Sequence, residues 1–478
     1  MYGARHVSPF SCSEGRSVTA PATDTRPPDT RTEVERARSA FASGRTRPLS
    51  WRIAQLEGLL RFVDDSDADI AAAIGADLGR SPMATFMADI GPVRHEIRHT
   101  LAKLASWVRP TPVRVSAATA PGRAWSLPEP KGTVLILGTW NFPLLLTVQP
   151  LVSALAAGNT VVLKPSDLAS ATGALLARLL PRYVDPEAVR VVLGDGQVNR
   201  ALLAERFDHI FFTGSTAVGR AVMTAAAQHL TPVTLELGGK SPVIVTADAD
   251  IEVAARRIAW AKSINAGQTC IAPDYVLVED SVRPRLVERL LVELPAHGAN
   301  DTTRIVNERH LDRLAGVLAS HGGEQFGGVV DRAKLTIAPA LVTDPDPESE
   351  LMREEIFGPI LPVLSVENPR AAIDFVNRRP KPLALYLFTS ARDTERAVLE
   401  QTSSGAVVVN HLLYHLLVPE LPFGGVGDSG LGSYHGKHGF DTFSHAKAVL
   451  RKPARPDPSL AYPPYGSAMR KVLRRLMG

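Results

Sequence analysis

The chain has 478 residues, of which 45% are hydrophobic and 21% are charged. This length predicts two or three domains, and the composition is that of an ordinary globular protein with a core of normal size. The net charge of +4 and the pI near 9.0 are mildly basic, and apart from a basic C-terminal end the charge is scattered. Without a basic stripe and a recognisable module, nucleic acid is not expected as a partner.

The chain has two cysteines, Cys12 and Cys270. Cys12 lies in a ragged N-terminal segment, so a structural disulfide is not expected, which fits a reducing cytoplasm. No N-terminal apolar segment resembles a signal peptide. The most apolar stretch, residues 144–163, is broken by polar residues, proline and glycine. It is predicted to be a buried helix, a turn and a strand rather than a membrane span.

The first 130 residues change character twice. Residues 1–30 are rich in Ser, Thr, Pro and Arg and have no hydrophobic period, which predicts a disordered extension. Residues 33–110 have few glycines and carry apolar residues at helical spacing, so they are predicted to be helical. Residues 111–130 contain extended-type runs and are predicted to form a hairpin that projects from the body.

From residue 131 the sequence alternates between strands and helices. Apolar runs end near a glycine or a proline at residues 134–137, 160–164, 189–193 and 209–213. Repeated strand–helix units predict a parallel sheet with helices on both faces, and ligands bind beyond the carboxyl ends of such strands. Asn141, Lys164, Ser215 and Glu236 all lie at or just after a strand end.

A second α/β region is predicted at residues 238–410. A helix at 251–264 has Asp250 as its expected N-cap and Asn265-Ala266-Gly267 as its stop. The chain then ends in a Pro-rich, basic segment that is too short and too basic to span a bilayer. Because a single short basic helix binds membranes weakly, we expect a solvated tail.

The segment from Gly214 through Ser215 to Gly219 follows a strand and opens a helix, which Ser215 or Thr216 is expected to cap. A helix start of this kind collects unpaired N–H groups and suits a phosphate. The spacing is Gly-x-x-x-x-Gly rather than the usual Gly-x-Gly-x-x-Gly, and Arg220 stands where a Walker lysine would be. Alone, the segment fits either a phosphate turn or a tight turn with no ligand.

Lys164 and Asp167 close a neighbouring strand. Lys164 is able to bond ribose hydroxyls or a 2′-phosphate, and Asp167 is able to accept a hydrogen bond from a ribose hydroxyl. A surface turn with a Ser-Asp helix cap explains the same residues equally well. The pair is therefore a candidate ribose site that needs support from elsewhere in the chain.

Three residue types suited to covalent chemistry on a carbonyl occur at predicted loops and strand ends: the thiol of Cys270, the carboxyl of Glu236 and the amide of Asn141. Burial of Glu236 would raise its pKa and make it a usable base, although a salt-bridged strand-end glutamate is an equal alternative. Cys270 is either a small buried filler or a reactive thiol, and its position beyond a helix favours reactivity.

Five histidines, among them His411 and His415 at i,i+4 spacing, are crowded near the C-terminus. No His-Glu-x-x-His pattern and no cysteine pair accompanies them. The ligand count and geometry that a zinc site demands are missing, so a metal is not expected.

Taken together, the motifs resemble the aldehyde dehydrogenase superfamily over about residues 33–465. They are Trp140 to Pro143, Lys164 to Ser166, Phe212 to Ser215, Leu235 to Lys240, Gly267 to Cys270, Glu354 to Pro359 and Leu421 to Gly425. Seven motifs in this order are highly specific. The sequences of the segment after Cys270 and of the C-terminal motifs are similar to those of the class 3 branch, which handles fatty and aromatic aldehydes.

The resemblance implies an aldehyde dehydrogenase-like α/β fold with three parts. A Rossmann-type NAD(P)-binding domain would comprise residues 31–110 and 131–237, and an α/β catalytic domain residues 238–410. A small β extension for oligomerisation would comprise 111–130 and 411–450, with residues 451–478 as a tail. It also implies a homodimer.

The same resemblance implies residue roles. Cys270 would be the nucleophile, Asn141 and the backbone N–H of Cys270 would hold the oxyanion, and Glu236 would activate water. The cofactor, NAD or NADP, would contact residues at five places: Trp140, Lys164 with Asp167, the turn with Gly214, Ser215 and Gly219, then Leu237, and finally Glu355 with Phe357.

One departure concerns the cofactor. Many relatives carry Glu where this chain has Asp167, and the shorter side chain leaves more room for a 2′-phosphate, so we expect both NAD and NADP to work. Phe142, Trp260 and Tyr414 are expected near an apolar substrate pocket, which favours uncharged aldehydes. The alternatives are a thiol esterase with the same site and a non-catalytic binding protein with the same fold.

Overall fold

The fold is that of a computed structural model, which describes residues 29–116, 119–298, 303–457, 462–464 and 466–477. The predicted disordered extension lies outside the described residues up to residue 28, and so does Cys12. Within the predicted extension, Asp29 and Thr30 are ordered, because the Asp29 side chain accepts from the Thr32 N–H and caps the first helix.

Helices account for much of the described chain. They are α1 (Thr30–Ala42), α2 (Leu49–Asp65), α3 (Asp67–Leu78), α4 (Pro82–Thr85), α5 (Gly91–Trp107), α6 (Leu145–Ala157), α7 (Ser170–Leu179), α8 (Gly196–Ala204), α9 (Thr216–Ala227), α10 (Ile251–Ser263), α11 (Arg283–Gly298), α12 (Glu308–Ala319), α13 (Glu350–Arg353), α14 (Pro369–Asn377), α15 (Arg392–Gln401), α16 (Gly436–Thr442) and α17 (Ser467–Met477). A π-helical turn, Phe86–Ile90, joins α4 to α5.

The strands form four sheets. They are β1 (Thr111–Val113), β2 (Arg123–Pro130), β3 (Thr133–Leu137), β4 (Thr160–Lys164), β5 (Val189–Val191), β6 (His209–Thr213), β7 (Val233–Glu236), β8 (Pro242–Val245), β9 (Tyr275–Glu279), β10 (Glu324–Gly327), β11 (Val330–Asp331), β12 (Thr336–Ile337), β13 (Ala340–Thr343), β14 (Ile360–Val366), β15 (Ala384–Phe388), β16 (Ala406–Val409), β17 (Gly430–Leu431) and β18 (Ser444–Arg451).

The first large sheet has the order β17-β7-β6-β3-β4-β5, and all of its pairings except β17 with β7 are parallel. Every residue of β3, β4 and β6 is buried, as expected for strands covered on both faces. The predicted strand–helix alternation is therefore confirmed. The register aligns Leu137 with Lys164 and Thr213 with Glu236, so the carboxyl ends of these strands form one edge.

The second large sheet has the order β10-β13-β14-β9-β8-β15-β16 and is parallel except for β10. Helix α10 begins where predicted, because Asp250 accepts from the Val253 N–H. The helix ends before Asn265, Ala266 and Gly267, which all have positive φ. The second α/β region is thus as predicted, while the domain boundaries stay a prediction.

The third sheet confirms the predicted hairpin at residues 111–130. Strands β1 and β2 pair antiparallel, and β18 pairs with all eight residues of β2. Most of β18 is exposed. The outer edge of β18 carries no other strand among the described residues.

The stretch from Leu144 to Leu163 folds as the sequence predicts. Helix α6 is buried along its whole length, Gly158 turns the chain in the left-handed region, and β4 follows. In the described part of the chain, no helix is both long enough and apolar enough to cross a membrane. The predicted solvated tail contains a helix, α17, whose described side chains are exposed except for Met469.

Candidate active site

The loop that carries Cys270 has an unusual backbone. Asn265, Ala266 and Gly267 have φ values of 55°, 52° and 72°, and a 3-10 turn replaces the end of the helix. A Cβ on Gly267 would lie 2.2 Å from the carbonyl oxygen of Gly358, so only glycine fits there. The chain then turns at Cys270, which is partly buried and packs against the hydrophobic core.

The amide of Asn141 faces this loop. Asn141 is buried, and its Nδ2 donates to the carbonyl oxygen of Gln268 at 3.1 Å, two residues before Cys270. The nucleophile loop and the loop after β3 are therefore in direct contact, although 127 residues separate the two partners. The sequence prediction that these two loops meet is consistent with this geometry.

Glu236 ends β7 as a buried carboxyl. Among the described residues, neither carboxylate oxygen has a hydrogen-bond partner. Burial raises the pKa of Glu236 well above its ordinary value, because an isolated carboxylate loses its hydration. The salt-bridged alternative is therefore wrong among the described residues, and the raised pKa makes Glu236 a stronger base than an ordinary carboxylate.

The thiol of Cys270 is held in its neutral form. Burial is the main cause that raises the pKa of Cys270 to about 12; the nearby Glu355 and Glu236 contribute to this rise, and hydrogen bonds from the N–H groups of Cys270 and Ile271 oppose it. Tyr386 supports the Cys270 loop, because its hydroxyl donates to the carbonyl oxygen of Ile271 at 2.6 Å. Attack by the thiolate therefore requires a change in local charge.

Glu355 lies close to the strand end that carries Glu236. A Cβ on Gly238 would be 2.1 Å from Oε2 of Glu355, so this glycine makes room for the carboxyl. Burial raises the pKa of Glu355 to about 8, and Asp274 adds to the rise. Arg313 also supports the segment that carries Glu355, because it donates to the carbonyl oxygen of Ile356 at 2.6 Å.

A partly buried lysine, Lys240, ties this segment to Asp274. The ammonium of Lys240 pairs with Asp274 and donates to the carbonyl oxygens of Leu351 and Glu354, both at 2.8 Å. The other oxygen of Asp274 accepts from the Ile356 N–H at 2.9 Å. The sequence motif contained Lys240, but its tertiary partners could not be inferred from it.

Phe357 and Trp140 form an aromatic wall. Phe357 has a φ of 49°, and its ring meets the ring of Trp140 edge-on with centroids 5.4 Å apart. The ring of His310 also contacts Trp140, and the centroids of the two rings are 5.6 Å apart. His310 is a neighbour that sequence reasoning missed, because its signal is only its contact with Trp140.

The turn between β6 and α9 is tightly packed. A Cβ on Gly219 would lie 2.6 Å from Cδ2 of Leu237, which is buried, and a Cβ on Gly214 would lie 2.5 Å from the ring of Phe212. The prediction that Ser215 or Thr216 caps α9 is confirmed in position only, because Ser215 is the N-cap residue. Ser215 makes no side-chain cap bond, and the hydroxyl of Thr216 donates to the carbonyl oxygen of Asp428 instead.

Because no side-chain cap bond forms, the start of α9 is available to a ligand. Its first N–H groups receive no side-chain acceptor from the N-cap residue Ser215, and Ser215 and Thr216 lie at the surface. A twelve-residue helix whose N-terminus lacks a side-chain cap suits a diphosphate. The turn therefore fits a dinucleotide at the carboxyl edge of the sheet.

Lys164 is buried, so the surface-turn interpretation of this residue is wrong. Its Nζ lies 3.9 Å from Oδ1 of the half-exposed Asp167. Burial lowers the pKa of Lys164, and Asp167 and Asp195 partly offset this effect. Ser166, as predicted for a helix cap, accepts from the Leu168 N–H.

The three residues expected near the substrate differ in exposure. Phe142 is buried, Trp260 is partly buried and Tyr414 is half exposed. The rings of Trp260 and Tyr414 meet edge-on at 5.9 Å, and His411 stacks on Tyr414 at 3.8 Å. His411 is thus part of an aromatic cluster. Within the described residues, no group of His, Cys, Asp and Glu is placed to hold a metal ion.

Two further residues, Arg80 and Asp89, help to join the Asn141 loop to the Cys270 loop, and sequence reasoning missed both. Arg80 and Asp89 form a buried ion pair, and Arg80 also contacts Asn141 and Asn265. Their residue types are ordinary and their partners are distant in sequence.

The chain belongs to the aldehyde dehydrogenase family, whose sequence profile matches residues 6–449. The match begins upstream of residue 33, where the motifs had placed the start of the resemblance. The chain is therefore an enzyme, an aldehyde dehydrogenase that uses NAD or NADP. Neither the esterase nor the non-catalytic alternative is favoured.

Individual relatives place it near family 3. The chain is 47% identical over 442 residues to aldehyde dehydrogenase family 3 member A2 of Pongo abelii, which covers 90% of each chain. It is 45% identical over 439 residues to the dimeric NADP-preferring aldehyde dehydrogenase of Canis lupus familiaris, which covers 90% of this chain and 97% of the relative. The structure of substrate-bound Staphylococcus aureus AldH matches with a TM-score of 0.90 and 38% identity, over 93% of this chain and 99% of that chain.

Proposed function

We propose that the chain oxidises uncharged aliphatic or aromatic aldehydes to carboxylic acids through a covalent intermediate on Cys270. The observation that carries this proposal is the convergence of Cys270, Asn141 and Glu236. The amide of Asn141 contacts the Cys270 loop at Gln268, and the charge of Glu236 acts on the Cys270 thiol.

Cys270 acts as the nucleophile. After its proton has passed to solvent water, its sulfur forms a bond to the aldehyde carbon while the carbonyl π electron pair moves onto oxygen. The side-chain amide of Asn141 and the backbone N–H of Cys270 donate to that oxyanion. One such donor typically contributes about 3 kcal/mol to the barrier reduction. One N–H of this amide already donates to the Gln268 carbonyl, and the second N–H of the same nitrogen is able to donate to the oxyanion.

Glu236 acts in the second half of the reaction. Collapse of the oxyanion expels the aldehyde hydrogen as hydride and leaves a thioester on Cys270; bound NAD or NADP supplies the hydride acceptor. Glu236 then takes a proton from water, the water oxygen attacks the thioester carbon, and the sulfur leaves with the carboxylic acid as product. Its raised pKa and its free carboxylate oxygens suit this role.

The remaining predicted residues hold the cofactor. The turn with Gly214, Ser215 and Gly219 receives the diphosphate, and Lys164 with Asp167 faces the adenosine ribose. Glu355 holds the nicotinamide ribose, and Phe357, Trp140 and Leu237 pack beside the ring. This assignment is supported by the start of α9, which has no side-chain cap bond, by the closeness of Glu355 to Gly238 and by the contact of Phe357 with Trp140.

The substrate class rests on the expectation that Phe142, Trp260 and Tyr414 line the substrate pocket, and the rings of Trp260 and Tyr414 are in contact. An apolar pocket gives no partner to a second carboxylate, whose burial without a partner is costly. Hexanal and benzaldehyde should therefore exceed succinic semialdehyde in kcat/KM. A higher kcat/KM for succinic semialdehyde would contradict the apolar pocket.

The experiment that tests the function is NADH formation with hexanal or benzaldehyde, measured for the wild type and Cys270→Ala in parallel. Turnover that disappears in the variant supports the thiol route. Unchanged turnover by Cys270→Ala would exclude Cys270 as nucleophile. Thermal unfolding of both proteins controls for loss of fold.

The protein acts as a homodimer in a reducing cytoplasm. The dimer is supported by the exposed strand β18, whose outer edge carries no strand in the described residues, and by the relative that is named as dimeric. A reducing compartment keeps Cys270 as a thiol. Light scattering should give twice the chain mass of 51.3 kDa, and a monomer mass would contradict the dimer. Fractionation of the producing cells tests the compartment.

A further inference from the structure

Arg80 occupies the space between the two loops of the site. It follows α3 and precedes α4, and its side chain is almost fully buried. One guanidinium nitrogen donates to the backbone carbonyl of Asn141 at 2.6 Å and to Oδ1 of Asn265 at 2.5 Å. A second nitrogen pairs with Asp89. A single side chain therefore contacts the oxyanion-donor loop and the nucleophile loop at once.

Asp89 and Asn265 complete the arrangement from opposite ends. Asp89 accepts from the N–H groups of Leu144 and Leu145 at 3.1 and 2.8 Å, and so anchors the segment that follows Asn141. Nδ2 of Asn265 donates to the carbonyl oxygens of Asn141 and Gln268 at 2.9 and 3.0 Å. Each loop is thus tied to the other through hydrogen bonds that are buried from water.

The nucleophile loop needs such support because its backbone is strained. Asn265 and Ala266 carry side chains in the left-handed region, which non-glycine residues adopt only when the surrounding contacts over-determine them. Without Arg80, the carbonyl of Asn141 and the amide oxygen of Asn265 lose a charged donor. Since Cys270 lies five residues after Asn265, relaxation of the loop would move the thiol and its N–H relative to the Asn141 amide.

We propose that Arg80 is a positioning residue that fixes the Asn141 amide against the Cys270 loop and thereby sets the geometry of the oxyanion site. Arg80 does not touch the substrate; it acts through Asn141 and Asn265. The inference rests on the proposed roles of Asn141 and Cys270. A displacement of about 1 Å at such a site typically costs about a hundredfold in rate.

Arg80→Lys tests the inference, because lysine keeps the charge beside Asp89 but has no planar fork to reach both loops. We expect kcat for aldehyde oxidation to fall about a hundredfold and hydrolysis of 4-nitrophenyl acetate to fall by a similar factor, since both reactions pass through an oxyanion. The KM for NAD should stay within about twofold. Alkylation of Cys270 by iodoacetamide, which forms no oxyanion, should also stay within about twofold.

Two comparisons separate positioning from general stability. Arg52 is also buried and donates to the backbone carbonyls of Ala156 and Arg47, but it contacts neither loop. Arg52→Lys should lower Tm and leave kcat unchanged. Added guanidinium ion should restore part of the kcat of Arg80→Ala and none of the Tm lost by Arg52→Lys.

The inference is overturned if folded Arg80→Lys keeps its kcat within twofold, or if alkylation of Cys270 falls in parallel with kcat, which would indicate mere support of the nucleophile loop. If Arg80→Lys does not fold, Asn265→Ala removes the same link without unpairing Asp89 and should show the same pattern. Asn141→Ala with full activity would instead refute the proposed oxyanion site itself.

Discussion

Asn141 and Asn265 share one acceptor: their side-chain amides donate to the same carbonyl oxygen, that of Gln268, at 3.1 and 3.0 Å. Asn265 also donates to the backbone carbonyl of Asn141 at 2.9 Å. The amide that is proposed to hold the oxyanion is therefore oriented by a second amide before any substrate arrives. Such preorganisation is what makes a hydrogen bond effective in a transition state.

Asn141→Ala should lower kcat by about 10²–10³, the usual effect of removing one oxyanion donor. Hydrolysis of 4-nitrophenyl acetate should fall with it, and the KM for NAD should change little. Steady-state kinetics with both substrates provide the measurement. Asn159→Ala is the control, since Asn159 is equally buried but bonds Gly132 and Phe443, and its loss should lower Tm without a comparable fall in kcat. Equal effects of the two variants on kcat would contradict the assignment.

The sequence predicted the sheets and the strand-end residues because those signals are local. Apolar runs that stop at glycine or proline mark the strands, and a lone carboxyl after such a run marks Glu236. Arg80 gave no local signal, since its partners Asn141 and Asn265 lie 61 and 185 residues away. Contacts of that separation depend on the packing of the whole domain.

The side-chain cap bond expected from Ser215 or Thr216 is missing for the same reason. Both residue types favour the cap position, but the hydroxyl of Thr216 finds the Asp428 carbonyl, which is 212 residues away. The strained turn before Cys270 was also predicted only in part. A stop at Asn265 to Gly267 follows from sequence, whereas three consecutive left-handed residues depend on tertiary support.

The reactivity of Cys270 should depend steeply on pH in the free enzyme. Because the pKa of the thiol is raised to about 12, the thiolate fraction should grow tenfold per pH unit from pH 7 to pH 10. The rate of inactivation by iodoacetamide reports this fraction. Oxidised cofactor, which carries a positive nicotinamide ring, should accelerate inactivation at pH 7. A plateau near pH 8.5, the ordinary range of cysteine, would show that the free thiol is not desolvated.

Glu355 offers a second test of the same electrostatics. Its pKa of about 8 makes the carboxyl largely neutral at pH 7 and charged at pH 9. Glu355→Gln should therefore speed alkylation of Cys270 at pH 9 and have little effect at pH 7. The same acceleration at both pH values would contradict the raised pKa of Glu355.

Cofactor choice should respond to the acids around Lys164. Wild type should use both NAD and NADP, because Asp167 is short, but Asp167 and Asp195 both oppose the charge of a 2′-phosphate near Lys164. Asp195 lies at the start of α8, beyond the strand that pairs with β4. Asp195→Asn should raise the NADP-to-NAD ratio of kcat/KM about two- to fivefold, since exposed charge interactions amount to about 0–1 kcal/mol.

Asp393→Asn removes the same charge from an exposed site in helix α15 and should leave that ratio unchanged. Salt should reduce the effect of Asp195→Asn, because it screens exposed charges. An NADP rate below detection in the wild type would refute the expectation from Asp167. An unchanged ratio in Asp195→Asn would remove Asp195 from the site.

Glu236→Gln should stop the reaction after one turnover and yet stabilise the protein. Hydride transfer does not need the carboxylate, so stopped-flow absorbance should show a burst of about one equivalent of NADH followed by slow turnover. The folded-state pKa of Glu236 lies above its unfolded value, so the folded protein holds this proton more tightly. The contribution of this proton to the free energy of unfolding is therefore fully present below pH 4.5 and is lost as the pH rises through the folded-state pKa of Glu236. An amide has no such loss.

The Tm of Glu236→Gln should consequently exceed that of the wild type by a margin that widens as the pH rises above 4.5. Glu279→Gln serves as the matched control, because Glu279 also ends a strand but accepts a hydrogen bond from the Ala247 N–H. That variant should gain no stability and should keep its kcat. A lower Tm for Glu236→Gln at pH 8 would mean that the carboxylate has a stabilising partner. Steady NADH formation without a burst would mean that another group activates the water.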